Sequence, residues 1–574
     1  MTIGEQQEWL RRHLNRHRVT RRIAVDNAAN PLAALDAVTA PWVRAGRARA
    51  ARSAVGVVGR HLAFGADPTR QMAIAAELTA RPRGRVVVDI GTDAHYGHTV
   101  EAEVRELLSM VPQQDGTIRG ADQFYVHALA DDLRPGERYH YRIRLADGTS
   151  TSDAVFGTAP ARSGLTPFTF TAFADQGVNT DPAAAAPTTE NFGPDGARNA
   201  TVPSDALIEQ ITHQRPAFHL LAGDICYADP SGAGLPVRNN LPGPADNGFD
   251  NFDPTVWTQY FSVIEKSAAS VPWLFATGNH DMEALYDDNT APGGAAHGYA
   301  GHAARLDLPR TGPSGCPSVY SVVYGNVAIL SLDANDLSYE IPTNAGYSGG
   351  AQLRWLTHRL ADLRADPDID FIVAFFHHCA FATSATHASD GGVRAALAPL
   401  FDRFAVDLVV QGHNHQYERT DPLRGGVSTR PAPDGATVHP ADDGTTYICC
   451  GSGGHSRYHW QPGQTDRYRD SPGPDSGTTA ASFVVGPHET KTPETVDWSQ
   501  ARYLDHAFLA VHVTPAAPGG TATMSVRAVT ETGAEIDRVD LVRRVGKIGP
   551  VPPAATASSW RTHHPTGLAV PGYA

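Results

Sequence analysis

Five cysteines in 574 residues are too few, and too irregularly spaced, for a disulfide framework or a thiolate metal site. We therefore expect most of them to be small buried residues. No run of about 18 apolar residues occurs, so the sequence predicts no membrane span. A long Lys/Arg block is also missing from the body, and the formal net charge is −14. Such a field repels polyanions, which makes nucleic acid an unfavourable main partner.

The composition that is present describes a globular protein with many turns. Hydrophobic residues make up 41% of the chain, charged residues 19%, and Gly and Pro together number 96. The length exceeds that of one ordinary hydrophobic core and predicts two or three domains.

Residues 1–52 are basic and Ala-rich without sustained periodicity, and they are interpreted as a leader or arm. Arg21-Arg22 precede an Ala-rich stretch, a layout that resembles a degenerate twin-arginine export signal. Asp26 and Asp36 interrupt its apolar region, so a surface helix followed by a linker is the alternative. The first interpretation predicts a periplasmic or extracellular protein and the second allows a cytoplasmic one. The Pro/Ala/Ser-rich tail, 549–574, is predicted to be disordered.

Short alternating and β-branched runs between residues 53 and 160 predict an all-β unit. The segment Leu133–Tyr141 resembles the corner of fibronectin type III domains, in which a Tyr hydroxyl ties the corner to nearby backbone. The resemblance implies a fibronectin type III-like β-sandwich.

From residue 165 to 545 the pattern becomes strand, loop and helix, which predicts a layered α/β domain. The predicted strands and helices are, in order, strand 168–174, helix 204–213, strand 218–222, helix 255–266, strand 273–277, helix 352–363, strand 371–376, helix 393–404 and strand 406–410. Two later runs, 506–513 and 524–529, are predicted to be strands that close a second sheet.

A polar cluster follows five of these strands, at the carboxyl ends where ligands collect in α/β sheets. The clusters are Asp175-Gln176-Gly177, Gly223-Asp224-Ile225-Cys226-Tyr227, Gly278-Asn279-His280-Asp281, His377-His378 and Gly412-His413-Asn414-His415. Asp, Asn, Tyr and His together suit hard or borderline cations such as iron, zinc or manganese. About seven donors exceed what a single ion needs and predict two ions. The glycines allow sharp turns that bring neighbouring side chains close to the ions.

Each cluster is weak by itself, because Asp-x-Gly and Gly-Asp occur in many turns, but their joint order is specific. The order D-x-G, G-D-x-x-Y, G-N-H-D, a His after an apolar strand, and G-H-x-H resembles that of calcineurin-like metallophosphoesterases. The Tyr of the second motif resembles the purple acid phosphatase branch. This resemblance covers residues 168–543. It implies a layered metallophosphoesterase β-sandwich flanked by helices, preceded by the all-β domain.

The resemblance also implies seven ligands shared between two ions. They are Asp175, Tyr227 and His415 for a ferric ion, Asn279, His377 and His413 for a divalent ion (Zn, Mn or Fe), and Asp224 as the bridge. His280 and His387 are implied to hold phosphate oxygens or to protonate the leaving alkoxide.

The sequence departs from the family pattern at three places. Ala174 stands where many relatives have Gly, and Asp281 where plant and animal members have Glu. The fourth motif lacks the usual spacing from Val373, which makes His378 a rival of His377. We expect Asp281 to be a partner of the second ring nitrogen of His280. The loop 451–455 is expected to be a turn at the rim of the site.

The implied reaction is hydrolysis of small phosphate monoesters by attack of a metal-bound hydroxide, as in acid phosphatases. A phosphodiesterase or nucleotide hydrolase on the same scaffold is the alternative, because the motifs fix the reaction centre but not the leaving group. A non-catalytic binding protein with a vestigial metal site would lack ligands, and all seven positions are filled. The sequence does not predict the oligomeric state.

Overall fold

A computed structural model describes residues 55–112, 118–162, 164–178, 203–229, 232, 253–283, 298–471 and 479–546. The predicted leader, with Arg21-Arg22, and the predicted tail lie outside these ranges. None of the helices in the described part of the chain is both long and apolar enough to cross a membrane. All five cysteines are free and buried, as predicted.

The first eight strands form two four-stranded antiparallel sheets, in the orders β1-β2-β6-β5 and β4-β3-β7-β8. They are β1 Val57–Phe64, β2 Met72–Leu78, β3 Val87–Gly91, β4 His98–Glu101, β5 Glu103–Pro112, β6 Ile118–Ala130, β7 Arg138–Arg144 and β8 Ala154–Gly157. The predicted corner is present, since the Tyr139 hydroxyl accepts a hydrogen bond of 2.9 Å from the backbone N–H of Arg134. The limits of this domain, and its fibronectin type III assignment, remain predictions.

Two seven-stranded sheets carry the five motif strands. The first has the order β11-β10-β9-β25-β26-β27-β20 and the second the order β12-β13-β14-β16-β21-β17-β24. The strands of the first sheet are β9 Phe168–Phe173, β10 His219–Leu221, β11 Trp273–Phe275, β20 Ala436–Val438, β25 Ala507–Thr514, β26 Thr521–Thr530 and β27 Glu535–Arg544. Those of the second are β12 Tyr320–Tyr324, β13 Val327–Ser331, β14 Phe371–Phe375, β16 Leu408–Gln411, β17 Tyr417–Thr420, β21 Thr446–Cys450 and β24 Ser499–Tyr503.

Helices and small sheets complete the described residues. The α-helices are α1 Pro203–His213, α2 Thr255–Ala268, α3 Ala300–Arg305, α4 Ala351–Ala365, α5 Gly391–Phe404 and α6 Pro440–Asp443. Short 3-10 turns span Asn279–Asp281, Ala334–Asp336, Pro342–Asn344 and Pro487–Glu489. The remaining strands are β15 Ser389–Asp390, β18 Leu423–Arg424, β19 Val427–Ser428, β22 Ala480–Gly486 and β23 Thr490–Val496.

Alternation along β14 shows how the layers stack. Phe371, Val373 and Phe375 share a hydrophobic core with strands of the first sheet. Ile372 and Ala374 point the other way, into a core that contains side chains of α4 and α5. Every residue of β14 is buried, as expected for a parallel strand covered on both faces. The two large sheets therefore pack face to face with helices outside, which is the predicted layered α/β fold.

The assignment of the last strands to a second sheet is wrong. β25 pairs antiparallel with β9, the strand that precedes Asp175, and β26 pairs with β25. These late strands therefore extend the sheet that begins the α/β region. Alternating apolar residues predicted the strands, but pairing partners so distant along the chain are set by tertiary packing.

Candidate metal centre

The five motif strands end at one edge of the sandwich. In the first sheet, Phe173, Leu221 and Phe275 are partners across the parallel strands β9, β10 and β11. In the second sheet, Phe375 of β14 is the partner of Val410 of β16. Within each sheet, the loops that follow these strands therefore leave at the same level, as the sequence predicted.

His377 lies at the centre of the cluster, and its two ring nitrogens have different partners. Nδ1 is 3.0 Å from the carbonyl oxygen of Ala222, which can only accept a hydrogen bond. With that proton on Nδ1, a neutral ring presents a lone pair at Nε2. Nε2 is 3.1 Å from Asn279 Oδ1, 3.1 Å from Asp224 Oδ2 and 3.9 Å from Asp175 Oδ1. In that neutral form, four electron-pair donors face one another inside the protein, an arrangement that fits a cation.

The other half of the cluster contains the phenol. The Tyr227 hydroxyl donates to Asp175 Oδ1 at 3.1 Å and lies 3.0 Å from His415 Nε2. His415 Nε2 is in turn 3.3 Å from Asp175 Oδ1. These three residues, which the resemblance assigns to the ferric ion, are therefore mutual neighbours, and Asp175 also approaches the His377 half.

His413 approaches the His377 half through one of its ring nitrogens. A ligand atom of His413 lies within 4.8 Å of ligand atoms of Asp224 and His377. Its Nε2 is 3.1 Å from Glu340 Oε2. The structure therefore brings together all seven predicted donors, with carboxylate, amide, phenol and imidazole groups that fit two hard or borderline ions.

His378, the rival of His377, is not part of this donor cluster. Its ring is fully buried against His413, with centroids 4.4 Å apart, and neither ring nitrogen has a hydrogen-bond partner. Of the two histidines of the fourth motif, only His377 lies among the other predicted donors.

The backbone is strained where the donors leave the strands. Asp175, Asp224, Tyr227 and His413 all have φ between +49° and +67°, a region that side chains with a Cβ rarely occupy. Such strain is tolerated when the surrounding structure requires it, and it is common at functional sites. Glycine makes the close approach possible: a Cβ on Gly278 would lie 2.1 Å from Asp224 Oδ1.

Burial sets the protonation of the metal-free cluster. It raises the pKa of Asp175 to about 7 and that of the Tyr227 phenol well above 10. Burial alone would also raise the pKa of Asp224, but the charges of His377, His280 and His413 and the hydrogen bond from His377 together outweigh it, and the pKa falls well below 3.8. Burial would lower the pKa of His377, yet Asp224 and Asp175 raise it to about 10. Without metal, the proton on His377 is the charge that holds the carboxylates together.

The two predicted second-sphere histidines have different surroundings. His280 Nδ1 lies 2.6 Å from the carbonyl oxygen of Asp229, and its Nε2 is 4.0 Å from Asp224 Oδ2. His387 Nδ1 lies 2.7 Å from Glu340 Oε1, and its Nε2 is 3.1 Å from the Tyr458 hydroxyl.

The expected bond between Asp281 and His280 is absent. Asp281 accepts instead from the backbone N–H groups of Gly278, at 2.7 Å, and Ile225, at 3.0 Å. Adjacent residues of a tight turn point in different directions, so the carboxylate turns back onto the loops while the imidazole faces the donors. Asp281 thereby ties the second and third motifs together.

Several residues that contact the donors lie outside the motifs. His455 stacks on the Tyr227 ring, with centroids 3.7 Å apart, so the loop 451–455 lies against a predicted ligand. Tyr458 stacks on His415 at 4.1 Å, and Glu340 contacts His413 and His387. The Gly-rich run before His455 was the only sequence signal for any of them.

Comparison with known proteins gives the family of the chain. The sequence profile of the calcineurin-like phosphoesterases matches residues 203–417. An uncharacterized protein of Mycobacterium tuberculosis is 30% identical over 517 residues, which cover 86% of this chain and 87% of that protein. The chain belongs to the calcineurin-like phosphoesterase family.

Purple acid phosphatases are among the relatives of this family member. The Fe(3+)-Zn(2+) purple acid phosphatase 12 of Arabidopsis thaliana is 23% identical over 332 residues, which cover 58% of this chain and 59% of that protein. A purple acid phosphatase from yellow lupin (Lupinus luteus) seeds superposes with a TM-score of 0.59 at 17% identity, covering 86% of this chain and 75% of that one. This phosphoesterase therefore has the fold of that branch.

Proposed function

We propose that this protein is a dinuclear-metal hydrolase that cleaves phosphate monoesters, in the manner of an acid phosphatase. The observation that carries the proposal is the cluster of side chains around His377, whose Nε2 faces oxygens of Asn279, Asp224 and Asp175. Two cations would replace the proton on His377 as the charge that balances these carboxylates, and they would also explain why the Tyr227 phenol lies against a carboxylate.

The donor set divides between two ions as the resemblance implies. Asp175, Tyr227 and His415 would hold a ferric ion, Asn279, His377 and His413 would hold a divalent ion (Zn, Mn or Fe), and Asp224 would contribute to both sites. The iron–zinc composition in the name of the Arabidopsis relative supports this assignment. When bound, the ions would supply concentrated positive charge and Lewis acidity toward phosphate oxygens and water.

His280 and His387 provide the proton chemistry of the proposed reaction. Because the Asp229 carbonyl takes the Nδ1 proton of His280, a second proton on that ring must lie on Nε2, which faces Asp224. This proton is placed to pass to the oxygen of the leaving alcohol. His387 and the Tyr458 hydroxyl, 3.1 Å apart, are placed to hold a phosphate oxygen.

Metal analysis of the purified full chain, together with its visible spectrum and ester assays, tests this proposal. We expect two ions per chain, a charge-transfer band from iron and phenolate, and faster hydrolysis of p-nitrophenyl phosphate than of bis(p-nitrophenyl) phosphate. Two colourless ions with a preference for the diester would support the phosphodiesterase alternative. A chain that binds no metal would refute the proposal.

The role of His280 has its own test. Replacing His280 with Ala should lower kcat by about 10²- to 10⁴-fold, the usual contribution of a general acid, while both ions stay bound. A variant that kept full turnover of p-nitrophenyl phosphate would contradict this role. An activated ester with a better leaving group should recover part of the loss, because it needs less protonation.

The organisation of the chain is part of the same proposal. We infer a sandwich domain over 53–160, a catalytic domain over 165–545 and export directed by Arg21-Arg22. Sequencing the N-terminus of protein recovered from the culture medium of an expressing bacterium would test export. An intact leader on protein found only inside the cell would contradict it.

A further inference from the structure

Glu340 contacts two histidines that the motifs assign to different tasks. Its Oε1 lies 2.7 Å from Nδ1 of His387, and its Oε2 lies 3.1 Å from Nε2 of His413. An ionised carboxylate is an acceptor only, so both of these ring nitrogens must carry protons. One side chain thus sets the tautomer of a predicted metal ligand and of a predicted phosphate-binding histidine.

The two tautomers have different consequences. A proton on Nε2 of His413 leaves Nδ1 as the only nitrogen that can bind a metal. A proton on Nδ1 of His387 leaves Nε2, 3.1 Å from the Tyr458 hydroxyl, to accept from that hydroxyl in the neutral ring or to donate to a phosphate oxygen in the protonated ring. The rings of His387 and His413 also lie against each other, with centroids 4.0 Å apart, so a rotation of one ring would disturb the other.

The backbone around Glu340 is held firmly enough for such a role. The backbone N–H groups of Glu340 and Tyr339 donate to the Asp390 carboxylate at 3.0 Å, and the Ser338 hydroxyl donates to it at 2.7 Å. Asp390 is buried and also caps α5 by accepting from the N–H groups of Gly392 and Val393. The position of Glu340 is therefore fixed by the start of a helix, not by the histidines that it contacts.

We propose that Glu340 is a positioning residue that orients His413 and His387 together and so couples affinity for the divalent ion to turnover. This inference rests on the proposed function, because both histidines have their roles there. None of the motifs contains Glu340, which lies 37 residues before His377 in the sequence. Carboxylates that hold metal-binding histidines in this way contribute about 10- to 100-fold in metal affinity or activity.

The Glu340→Gln variant is the sharpest test because it keeps the size and shape of the side chain. Its amide has one acceptor oxygen and an NH2 group that only donates, so it cannot accept from the two histidines through two separate atoms as the carboxylate does. We expect the Kd for Zn²⁺, measured on the full chain against a fluorescent chelator, to rise about 10- to 100-fold. We also expect kcat for p-nitrophenyl phosphate to fall by a similar factor at saturating Zn²⁺. Glu494→Gln, which removes a carboxylate paired with Arg394 at 2.9 Å, is the matched control and should change neither value.

A double-mutant cycle with His387→Ala separates the effect of Glu340 on His413 from its effect on His387. In that background Glu340→Gln should still weaken Zn²⁺ binding, which acts through His413. Glu340→Gln should add little further loss of kcat, because its effect on kcat acts through His387, which this background lacks. Equal and additive losses of kcat in both backgrounds would overturn the coupling through His387.

The remaining outcomes are also decisive. If wild-type protein binds two ions and Glu340→Gln matches it within twofold in both measurements, Glu340 has no positioning role and the proposed function stands. If wild-type protein binds no metal, both proposals fail. A third equivalent of Zn²⁺, lost in Glu340→Gln, would make Glu340 a ligand instead. Should the variant not fold, ¹⁵N-histidine NMR of the Zn²⁺-loaded wild-type chain decides, because a proton on Nδ1 of His413 would overturn the assignment.

Discussion

Buried carboxylates are neutralised in two different ways in this protein. Asp537 is bound through both oxygens by Arg419, at 2.5 and 2.8 Å, and both side chains are 1% exposed. Asp175 and Asp224 are equally buried, but their ion-pair partners among the described residues are all histidines.

The difference shows which buried carboxylates are neutralised by the folded chain itself and which can be neutralised by bound metal ions. An Arg carries its charge permanently, so the pair between Arg419 and Asp537 is complete once the chain has folded. A histidine can release its proton and offer a lone pair instead. A carboxylate surrounded by histidines can therefore exchange protons for metal ions, whereas a carboxylate held by Arg cannot.

Replacing Asp224 with Asn should give the largest effect. The amide keeps the shape but removes the bridging charge, so we expect loss of both ions and a fall in kcat/KM of about 10⁴-fold, as for a central catalytic residue. Metal content by mass spectrometry and turnover of p-nitrophenyl phosphate are the measurements. A variant that kept both ions and full activity would refute the bridging role.

Asp537→Asn tests the other side of the comparison. It leaves the buried Arg419 without its partner, which should lower the free energy of unfolding by about 3–5 kcal/mol. Urea denaturation followed by circular dichroism measures the loss. Metal content should not change, and loss of the ions would show that this pair supports the site as well as the fold.

Glu77 is a third kind of buried carboxylate. It accepts from the Thr258 hydroxyl at 3.0 Å, its other oxygen has no hydrogen-bond partner, and burial raises its pKa to about 7. Because the pKa of Glu77 is higher in the folded state than in the unfolded state, protonation of Glu77 stabilises the folded protein. This contribution to the unfolding free energy is complete below pH 4.5 and is lost as the pH rises through about 7. This loss corresponds to about 3 kcal/mol of unfolding free energy between pH 4.5 and pH 8.

The Glu77→Gln variant should remove that contribution. The difference in unfolding free energy between pH 5 and pH 8 should therefore be smaller in the variant than in wild-type protein by most of this amount. Urea titrations at the two pH values provide the measurement. An unchanged pH dependence would show that Glu77 is already ionised at pH 5 in the folded state.

Tyr227→Phe should have the smallest effect on turnover and the clearest effect on the visible spectrum. The variant removes the hydroxyl that lies between Asp175 and His415 but keeps the ring stacked on His455. We expect the visible absorption to disappear with the metals retained, and kcat to fall by about 10-fold, the lower end of what a contact to a metal site contributes. A colour that survived the substitution would show that this phenol does not bind the iron.

The sequence predicted those parts of the site whose side chains have no value for packing. A His alternating with a His after a buried strand, as in His413 and His415, contributes little to a core, so its presence indicated a ligand. The five strand ends were predictable for a similar reason, because alternating and buried apolar runs locate strands without reference to the rest of the chain.

Other parts of the site left no signal in the sequence. Glu340 and Tyr458 lie in loops of ordinary composition, and only hydrogen-bond geometry shows that they reach His387. The partner of Asp281 was predicted wrongly because the direction of a side chain in a tight turn depends on the backbone angles of that turn.

The sequence by itself determined the strand ends, the order of the donors along the chain and the family. The tertiary structure alone decided which sheet receives β25, which of His377 and His378 faces the donors, and which nitrogen of each ring is free. The physical reason is that periodicity and strand-end chemistry are local, whereas sheet register and hydrogen-bond direction arise only when segments far apart in the chain pack together.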